Sequence, residues 1–441
     1  MVVVAEYIWL DAKKHLRSKT KVIYSDLLLP NLPGYGGQSE KSAQELAQYF
    51  PDWNYDGSST GQAVGLYSEL MLKLGIFMMP IHPANKNLVD CLEEDRNLVI
   101  KADKLNYSEA WMGEHYSSSG EPVPSPFIFN ASLISETKQI KFGTGVISLP
   151  QQHPAIVAGH AALFDNLSKG RFLFGVGAGG LVSDWELFDN LDGKTRALTM
   201  LDSIDAILSI WNSNEALNYK SDFINFKVEN NYIPELGIGT FIKPFQKPHP
   251  PIAVSLKNAN SMTAKFAGKK GWIPISGNFV PAEDIATHWP TYLEGARESG
   301  KKSDYDSWRV GRSVLITETS QQANEILNDP EGVFTDYFLY LNTVGKLASG
   351  ISKNEINIEE EKQASIQKAK DLIIIGTEKE VLDKLINFID IVGPFGTLLL
   401  TGHDHYGWKE LWSNTLVQMS ENIRPKLDNY IKNLKTLPAA E

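Results

Sequence analysis

The alternation of strand-like and helix-like patterns along residues 71–441 constrains the fold of this chain more than any other feature. Short apolar segments predict strands, and segments with apolar residues three and four positions apart predict helices between them. The predicted strands lie at residues 72–78, 109–112, 140–148, 172–176, 252–254, 272–275, 310–316 and 397–401. Strands that alternate with helices pair in parallel. About eight such units without a second sheet favour an α/β fold, a (β/α)8 TIM barrel, over an open doubly wound sheet.

Two helix starts and one irregular segment punctuate this alternation. Ser125 before Pro126 predicts a capped helix start, and Thr377 with Glu380 predicts a capping box. Residues 330–370 include three consecutive glutamates and break the alternation. We therefore predict a long, partly helical, solvated insertion late in the barrel.

The first 70 residues have a different texture, without a strong helical period. Val2 to Leu10 is predicted to be a strand, and Thr20 to Tyr24 its partner. The sequence therefore predicts two domains: a small N-terminal segment over 1–70 and a barrel over 71–441.

Charge and hydropathy exclude several classes of function. The 42 Lys and Arg residues and 53 Asp and Glu residues give a net charge of 42 − 53 = −11, opposite in sign to that of a general nucleic-acid or anionic-membrane binder. Cys91 is the single cysteine of the sequence, so no disulfide framework within the chain is possible. The sequence has no apolar run long enough to span a bilayer and no recognisable signal peptide. We expect a cytosolic protein that acts on small molecules.

Active sites of such barrels lie at the C-terminal ends of the strands, which makes three short segments candidates. Glu114-His115-Tyr116 follows the second predicted strand, and a glutamate–histidine pair serves either catalysis or packing. Gly177 to Gly180 follows the fourth strand; it lacks the full dinucleotide-binding pattern and favours close approach of the backbone to a flat ligand. His403, Asp404 and His405 follow the last strand without a third convincing metal ligand, so we predict no metal site.

A helix start in the second half of the barrel is a candidate phosphate site. Asn258 to Thr263 opens a helix directly after a strand. Free amide groups and the helix dipole suit a phosphate there, with Arg196 as a charged partner. On spacing alone, the simpler interpretation is that Asn260 or Ser261 caps the helix.

Several segments in this order resemble one family. They are Leu74 to Phe77, Glu109 to His115, Phe142 to Val146, Leu149 to Pro154, Leu167 to Phe172 and Thr195 to Leu198. Together they resemble bacterial luciferase and its relatives, the luciferase-like flavin monooxygenases, over nearly all of 71–441. The last strand, Gly393 to His403, is most similar to the limonene-monooxygenase-type branch.

This resemblance implies a TIM barrel that binds reduced FMN at its C-terminal face, with His115 as the catalytic histidine. It implies cofactor contacts from Glu114, Gly145, Val146, Arg196, Asn260, Ser261 and Thr263. Among these, Gly145-Val146 matches a non-prolyl cis peptide that supports the flavin ring, and Arg196 matches a flavin-phosphate arginine. The chain departs from luciferase at two positions. Luciferase has a second histidine where this chain has Tyr116, and a second arginine where this chain has Ala178.

The resemblance also implies the chemistry. Reduced FMN reacts with O2 to give a C4a-peroxyflavin, which oxygenates a small apolar substrate of the terpene, ketone, aldehyde or alkane type. The implied substrate-pocket residues are Phe77, Trp111, Tyr116, Phe127, Ile147 and His403. A separate NAD(P)H:flavin reductase is expected to supply the reduced flavin, and a homodimer is the expected assembly.

Residues 1–65 resemble a different family, the N-terminal β-grasp segment of eukaryotic-type glutamine synthetase, through Ala5 to Asp11, Leu16 to Lys21 and Trp53 to Gln62. The catalytic domain of that enzyme does not follow, so no synthetase activity is predicted. Three alternatives to a monooxygenase stay open. They are a deazaflavin-dependent hydride-transfer enzyme on the same barrel, a non-catalytic flavin-binding or partner-binding protein, and a glutamine-synthetase-associated regulatory subunit.

Overall fold

The computed structural model describes the backbone of residues 2–10, 16–24 and 71–434, and the side chains of 71–433. The described strands are β1 (Val2–Leu10), β2 (Leu16–Tyr24), β3 (Lys73–Met78), β4 (Glu109–Met112), β5 (Lys141–Thr144), β6 (Ile147–Ser148), β7 (Phe172–Gly177), β8 (Leu217–Lys220), β9 (Asn225–Val228), β10 (Ile252–Leu256), β11 (Ile273–Ser276), β12 (Arg309–Arg312), β13 (Val314–Ile316), β14 (Ile374–Gly376) and β15 (Thr397–Gly402). The predicted strand over 140–148 is thus two strands, separated by Gly145 and Val146.

Helices connect these strands. They are α1 (Leu88–Lys104), α2 (Pro126–Ala131), α3 (Pro154–Leu167), α4 (Val182–Leu187), α5 (Gly193–Asn212), α6 (Met262–Lys270), α7 (Ala282–Ala286), α8 (His288–Glu298), α9 (Ser320–Asn328), α10 (Val333–Ala348), α11 (Ile358–Leu372), α12 (Glu378–Val392), α13 (Lys409–Gln418) and α14 (Arg424–Leu434). Both predicted helix starts are confirmed. The Ser125 side chain accepts the amide of Ile128, and Thr377 and Glu380 form the reciprocal capping box.

Eight parallel strands close into the predicted barrel. The order around it is β3, β4, β5, β7, β10, β11, β12 and β15, and β15 pairs with β3 to complete the ring. Closure leaves no open edge in this sheet. The C-terminal ends of all eight strands therefore meet at one rim, where the candidate residues of the sequence fall.

The barrel interior is filled in layers. At the N-terminal end, Glu109 pairs with Arg309, whose Nη2 lies 3.1 Å from Oε1 of the carboxylate. The Trp111 indole N–H also donates to Glu109, at 2.9 Å. The next layer is an apolar cluster that includes Trp111, Leu173, Ala253, Ile275 and Leu399. This cluster fixes which positions of each strand face the interior, because successive side chains alternate.

The segment between β12 and β15 covers part of the rim. Strands β13 and β14 pair in parallel, and helices α10 and α11 between them pack on each other. Our prediction that 330–370 is partly helical is confirmed, but its solvated character is wrong for α10. Phe334 and Phe338 of that helix are each 1% exposed, because the apolar side of α10 packs towards the strand ends.

The N-terminal strands pair antiparallel, with Val2 opposite Tyr24 and Leu10 opposite Leu16. The predicted pairing of these two segments is confirmed. The other predictions for 1–70, including the glutamine-synthetase-like loop, lie outside the described residues. Residues Met71–Tyr430 form one compact unit that contains the whole barrel.

Candidate active site

His115 follows β4 and lies between two carboxylates. Its Nε2 is 3.1 Å from Oε2 of Glu121, and its Nδ1 is 3.5 Å from Oδ2 of Asp184. Glu121 belongs to the loop after β4, and Asp184 lies on α4. The His115 side chain is 11% exposed. The ring is therefore fixed at both nitrogens at the C-terminal rim of the barrel.

The two carboxylates control the charge of this histidine. Burial alone would lower the pKa of His115, but the hydrogen bonds to Asp184 and Glu121 outweigh burial and raise it to about 9. The pKa of Asp184 is lowered: burial opposes this, and hydrogen bonds from His115 and Ser117 outweigh it. At neutral pH, His115 is therefore an imidazolium, which donates a proton from each nitrogen.

Glu114 points to the opposite side of the same loop. Its carboxylate accepts the backbone amide of Ser148 at 2.7 Å, the side-chain amide of Gln152 at 2.8 Å and the Tyr116 hydroxyl at 3.3 Å. Burial raises the pKa of Glu114 to about 7, against these hydrogen bonds. Glu114 therefore ties the end of β4 to the segment that follows β5, and its charge changes near neutral pH.

Glycines occupy interior-facing positions at the rim. Gly113, Gly177 and Gly277 continue the inward alternation of β4, β7 and β11, and Gly145 follows β5. The Gly145–Val146 peptide bond is cis, as the resemblance implied. A Cβ on Gly145 would lie 2.9 Å from the Phe77 ring, and one on Gly177 would lie 2.6 Å from Val146. At both positions a neighbouring side chain occupies the place of a Cβ, so the packing at the mouth requires glycine there.

Beside this mouth, a group of buried polar atoms has no partner among the described residues. They are both side-chain polar atoms of Gln151, both of Asn190, Nε1 of Trp185 and Nε of Arg196. The Cβ position of Gly179 lies 3.0 Å from Gln151 Nε2 and 3.3 Å from Trp185 Nε1, so these two donors meet above the backbone that follows β7. Buried polar groups are almost always paired, so this arrangement fits a polar ligand.

Two basic side chains flank that polar group. The Arg196 guanidinium lies 3.6 Å from the centre of the Trp185 ring, and its Nη1 donates to the carbonyls of Asn190 at 2.8 Å and Leu191 at 2.6 Å. Lys257, at the end of β10, brings its Nζ to 3.8 Å from the Cβ position of Gly180. Sequence reasoning did not single out Lys257.

The helix start after β10 is free of side-chain capping. Ser261 is the N-cap residue of α6, but its side chain makes no capping hydrogen bond. Asn260 has φ of 50°, and its backbone amide donates to the Thr287 hydroxyl at 2.8 Å. Thr263 is exposed. Ser261 therefore does not form the side-chain cap that the spacing suggested.

The structure separates the predicted pocket residues into two groups. Phe77, Tyr116, Ile147 and His403 lie at the C-terminal rim, and Phe77 also packs on the interior cluster to which Trp111 belongs. Phe127 of α2 packs on Phe164 and Phe172 at ring distances of 6.2 and 5.7 Å, in the layer between helices and strands. The structure therefore does not bring Phe127 together with the other residues at the mouth.

A second histidine is buried between carboxylates next to His115. His82 Nδ1 lies 2.7 Å from Asp404, and its Nε2 lies 3.3 Å from Asp95. Burial would lower the pKa of His82, but hydrogen bonds to Asp404 and Asp95 outweigh it and raise the pKa to about 9. Asp95 and His115 line one cavity between the ends of β3 and β4. Sequence reasoning singled out only Asp404 of this cluster, because His82 lies 322 residues away from it along the chain.

Neither a metal-ligand cluster nor a membrane-spanning helix is found in the part of the chain that the structure describes. Within 71–433, no group of three or more His, Cys, Asp or Glu side chains is arranged to hold a metal ion. None of the helices in the described ranges is long and apolar enough to cross a membrane.

Comparison with known proteins gives a consistent result. A family model described as luciferase-like monooxygenase matches residues 72–393. The 4-hydroxyprotoasukamycin monooxygenase of Streptomyces nodosus subsp. asukaensis is 29% identical over 334 residues, which are 75% of this chain and 85% of that protein. Limonene 1,2-monooxygenase of Rhodococcus erythropolis is 32% identical over 254 residues, 56% of this chain and 62% of that protein.

A solved structure has the same fold. It is a type II Baeyer–Villiger monooxygenase, the oxygenating constituent of 3,6-diketocamphane monooxygenase from Pseudomonas putida, in complex with FMN. The TM-score is 0.68 at 21% identity, over 80% of this chain and 98% of that one.

Proposed function

The chain belongs to the luciferase-like monooxygenase family, and from this premise we propose that it uses reduced FMN and O2 to oxygenate a small, largely apolar organic substrate. Membership of this family and the similarity to its monooxygenases indicate an oxygen-incorporating flavin-dependent oxidoreductase. Reduced FMN, when bound, supplies the electrons with which O2 is activated. The protein contributes binding, orientation, exclusion of water and control of protons.

One observation supports this proposal above the others. The glycine-lined mouth lies beside buried polar atoms of Gln151, Trp185 and Arg196 that lack partners among the described residues. A flavin has a flat ring system at one end and a phosphate at the other. The ring would lie against the glycine-rich strand ends, and unpaired donors with a guanidinium suit the polar end. The residues present therefore fit FMN.

We assign His115 the role of a proton donor at the reacting face. It is held as an imidazolium by Glu121 and Asp184. It follows β4, which pairs with the β5 strand that leads to Gly145. Because both N–H groups face carboxylates, donation to a bound oxygen requires one of them to leave its carboxylate, and the positive charge of the ring stabilises negative charge that develops on that oxygen. This supports oxygenation, in which O2 becomes reduced and gains negative charge, more than a non-catalytic binding function.

We assign the phosphate end to Arg196, the start of α6 and Lys257. The helix start carries backbone amides without a side-chain cap at Ser261, and helix N-termini attract anions. Lys257 extends over the backbone after β7. Lys257 would supply the second positive charge at the phosphate end that luciferase has as an arginine at the position of Ala178.

The reductase and the dimer are further parts of the proposal. The structurally similar Pseudomonas protein is described as an oxygenating constituent, which supports a separate NAD(P)H:flavin reductase as supplier of reduced FMN here. Exposed apolar side chains on α2 and α3, including Ile128, Ile156 and Leu163, support a homodimer through these helices. Light scattering of the purified chain tests the dimer.

Oxygen uptake tests the function. The full chain is supplied with FMN, an NAD(P)H:flavin reductase and a panel of terpenes, ketones, aldehydes and alkanes, and products are analysed by mass spectrometry after reaction under 18O2. We expect one labelled oxygen atom in the product of at least one class. Tight deazaflavin binding without FMN affinity would instead indicate a hydride-transfer enzyme.

A further inference from the structure

A row of buried hydrogen bonds crosses the C-terminal ends of β11, β12 and β15 beneath helix α10. The Tyr337 hydroxyl donates to Oδ1 of Asn278 at 3.0 Å, and Nδ2 of Asn278 donates to the Ser313 hydroxyl at 3.3 Å. The Ser313 hydroxyl lies 2.8 Å from Nε2 of His403. All four side chains, which we name the polar row, are buried.

The polar row assigns the tautomer of His403. Because the amide nitrogen of Asn278 donates to Ser313, the single hydroxyl proton of Ser313 is free to go to Nε2 of His403. Burial lowers the pKa of His403 well below its usual value, so the ring is neutral. A neutral imidazole that accepts at Nε2 carries its proton on Nδ1. His403 therefore presents an N–H donor at Nδ1.

This donor has no partner among the described residues. Nδ1 of His403 and Oγ1 of Thr401 are both buried and unpaired there. Leu399 belongs to the interior cluster, so the alternation along β15 directs Thr401 towards the interior mouth of the barrel. His403 follows the last residue of β15 directly and contacts Ser313, which follows β12 in the same way.

Neighbouring rings hold the His403 donor in place. Phe334 and Tyr337 contact the His403 ring edge-to-face, with ring centres 5.3 and 4.6 Å away. Together with the hydrogen bond to Ser313, these contacts fix the direction of the Nδ1–H bond. The mouth therefore contains an oriented, uncharged donor that no described protein group satisfies.

We propose that Nδ1–H of His403 binds the carbonyl oxygen of the substrate, so that the enzyme acts on a ketone or aldehyde and discriminates against hydrocarbons of the same shape. This inference rests on the proposed function of the same site. A neutral donor matches a neutral acceptor. A carbonyl oxygen carries no proton, so, unlike a hydroxyl group, it needs no second hydrogen-bond partner in the site. A site built to hydrogen-bond a substrate group rejects analogues that lack it, because its buried group is then left unpaired.

A pair of isosteric probes tests this preference. Cyclohexanone and methylenecyclohexane have the same ring, and C=O replaces C=CH2. We expect the FMN-loaded full chain to bind cyclohexanone about tenfold to a hundredfold more tightly, the range that corresponds to one buried hydrogen bond. In His403→Phe, the ratio of the two dissociation constants falls to about one, since the donor is lost. Equal binding of the two probes by the native protein would overturn the inference.

Two further variants separate a specific effect from a general one. His403→Asn places an amide N–H near the position of Nδ1 and is expected to recover part of the ketone preference. His405→Phe is the matched control: His405 is also buried with unpaired ring nitrogens, and its ring centre lies 4.8 Å from that of Trp412 on α13 and 5.5 Å from that of His403, so it reports on repacking beside His403 without removal of the Nδ1 donor. We expect this control to keep the ketone preference, and its loss in His405→Phe alone would contradict the assignment to His403.

A spectroscopic readout needs no turnover. The infrared carbonyl stretch of 13C=O-labelled cyclohexanone should move to lower frequency in the native FMN-loaded protein and not in His403→Phe. An unchanged frequency in the native protein would overturn the inference. If this shift is present but no labelled oxygen is incorporated from 18O2, the proposed function fails and the carbonyl site stands. If labelled products form from ketone and hydrocarbon with equal efficiency, the proposed function stands and the carbonyl site at His403 is wrong.

Discussion

Nδ1 of His115 lies 3.5 Å from Oδ2 of Asp184, a residue of α4 that is itself 1% exposed. The same carboxylate accepts the backbone amides of Tyr116 at 3.1 Å and Ser117 at 2.8 Å. One aspartate therefore fixes both the ring of the histidine and the loop that follows β4. Without it, the charge and the position of His115 would both change.

Asp184→Asn is expected to lower the pKa of His115 from about 9 towards the ordinary value of about 6.5. The reason is that a neutral amide offers no charge and a weaker acceptor for the imidazolium. NMR titration of the His115 ring protons measures the change. Glu186→Gln, an exposed change on the same helix, is the control and should leave the titration unaltered. An unchanged pKa in Asp184→Asn would show that Glu121 alone holds the charge.

His115→Ala is expected to leave FMN binding largely intact while it lowers oxygenation by about 100-fold or more, the scale of one positioned proton donor. His115 contacts carboxylates at the rim and not the proposed phosphate end. The affinity for FMN should therefore persist in the variant while the rate of oxygenation falls. Flavin fluorescence quenching measures the first, and 18O incorporation measures the second. His160→Ala, an exposed change on α3, is the control. Native turnover in His115→Ala would exclude the assigned role.

The barrel could be predicted from the sequence because each of its elements carries a local signal. Apolar strands, the Ser125 cap and the Thr377–Glu380 capping box are all set by residues close together in the chain. The role of α10 was missed because the glutamates at 359–361 dominated the interpretation of that segment. Phe334 and Phe338 stand one helical turn apart on α10, a spacing that could have indicated a buried face.

The candidate site could be predicted only in part, for a similar reason. His115 and Glu114 follow a strand directly, so the rule for barrel active sites finds them. Asp184 and Lys257 reach the site from other strand–helix units, and only closure of the barrel brings them there. The polar row is likewise assembled from separate strands and α10. Contacts of this kind depend on register and packing, which single-sequence patterns do not contain.

Arg196→Gln is expected to raise the dissociation constant of FMN by about tenfold or more and to leave that of riboflavin nearly unchanged. The guanidinium lies over Trp185 beside unpaired polar groups, and a hydrogen bond to a charged group is worth about 1.5–3 kcal/mol. Riboflavin lacks the phosphate, so it reports any general damage. Arg297→Gln, an exposed change on α8, is the control. An equal loss for both flavins would point to a structural role of Arg196 instead.

Removal of residues 1–70 is expected to leave a folded protein that binds FMN. All eight barrel strands and the proposed cofactor residues lie within Met71–Tyr430, which is one compact unit. Circular dichroism and FMN titration of a chain that begins at Met71 measure folding and binding against the full chain. Insoluble or flavin-free material would show that the N-terminal segment contributes to the barrel or its site.

The buried histidine between Asp404 and Asp95 predicts a pH-dependent stability. The pKa of His82 is about 9 in the folded protein and about 6.5 when unfolded. A raised folded pKa means that proton binding favours the folded state. This contribution is therefore fully present below about pH 6.5 and is lost as the pH rises through about 9. Its size is on the order of 3 kcal/mol, because the group is buried and both partners are carboxylates.

His82→Gln removes this titration and should flatten the alkaline part of the stability curve. The variant is less stable at pH 6.5, since Asp95 then loses its charged partner while Asp404 keeps Lys86 at 2.6 Å, but the deficit relative to the native protein should shrink by pH 9.5. Urea unfolding at both pH values measures the free energies. His115 titrates in the same range in both proteins and cancels from the difference. His160→Gln, on the exposed side of α3, should follow the native curve. A deficit that stays constant between the two pH values would mean that His82 does not carry the buried charge.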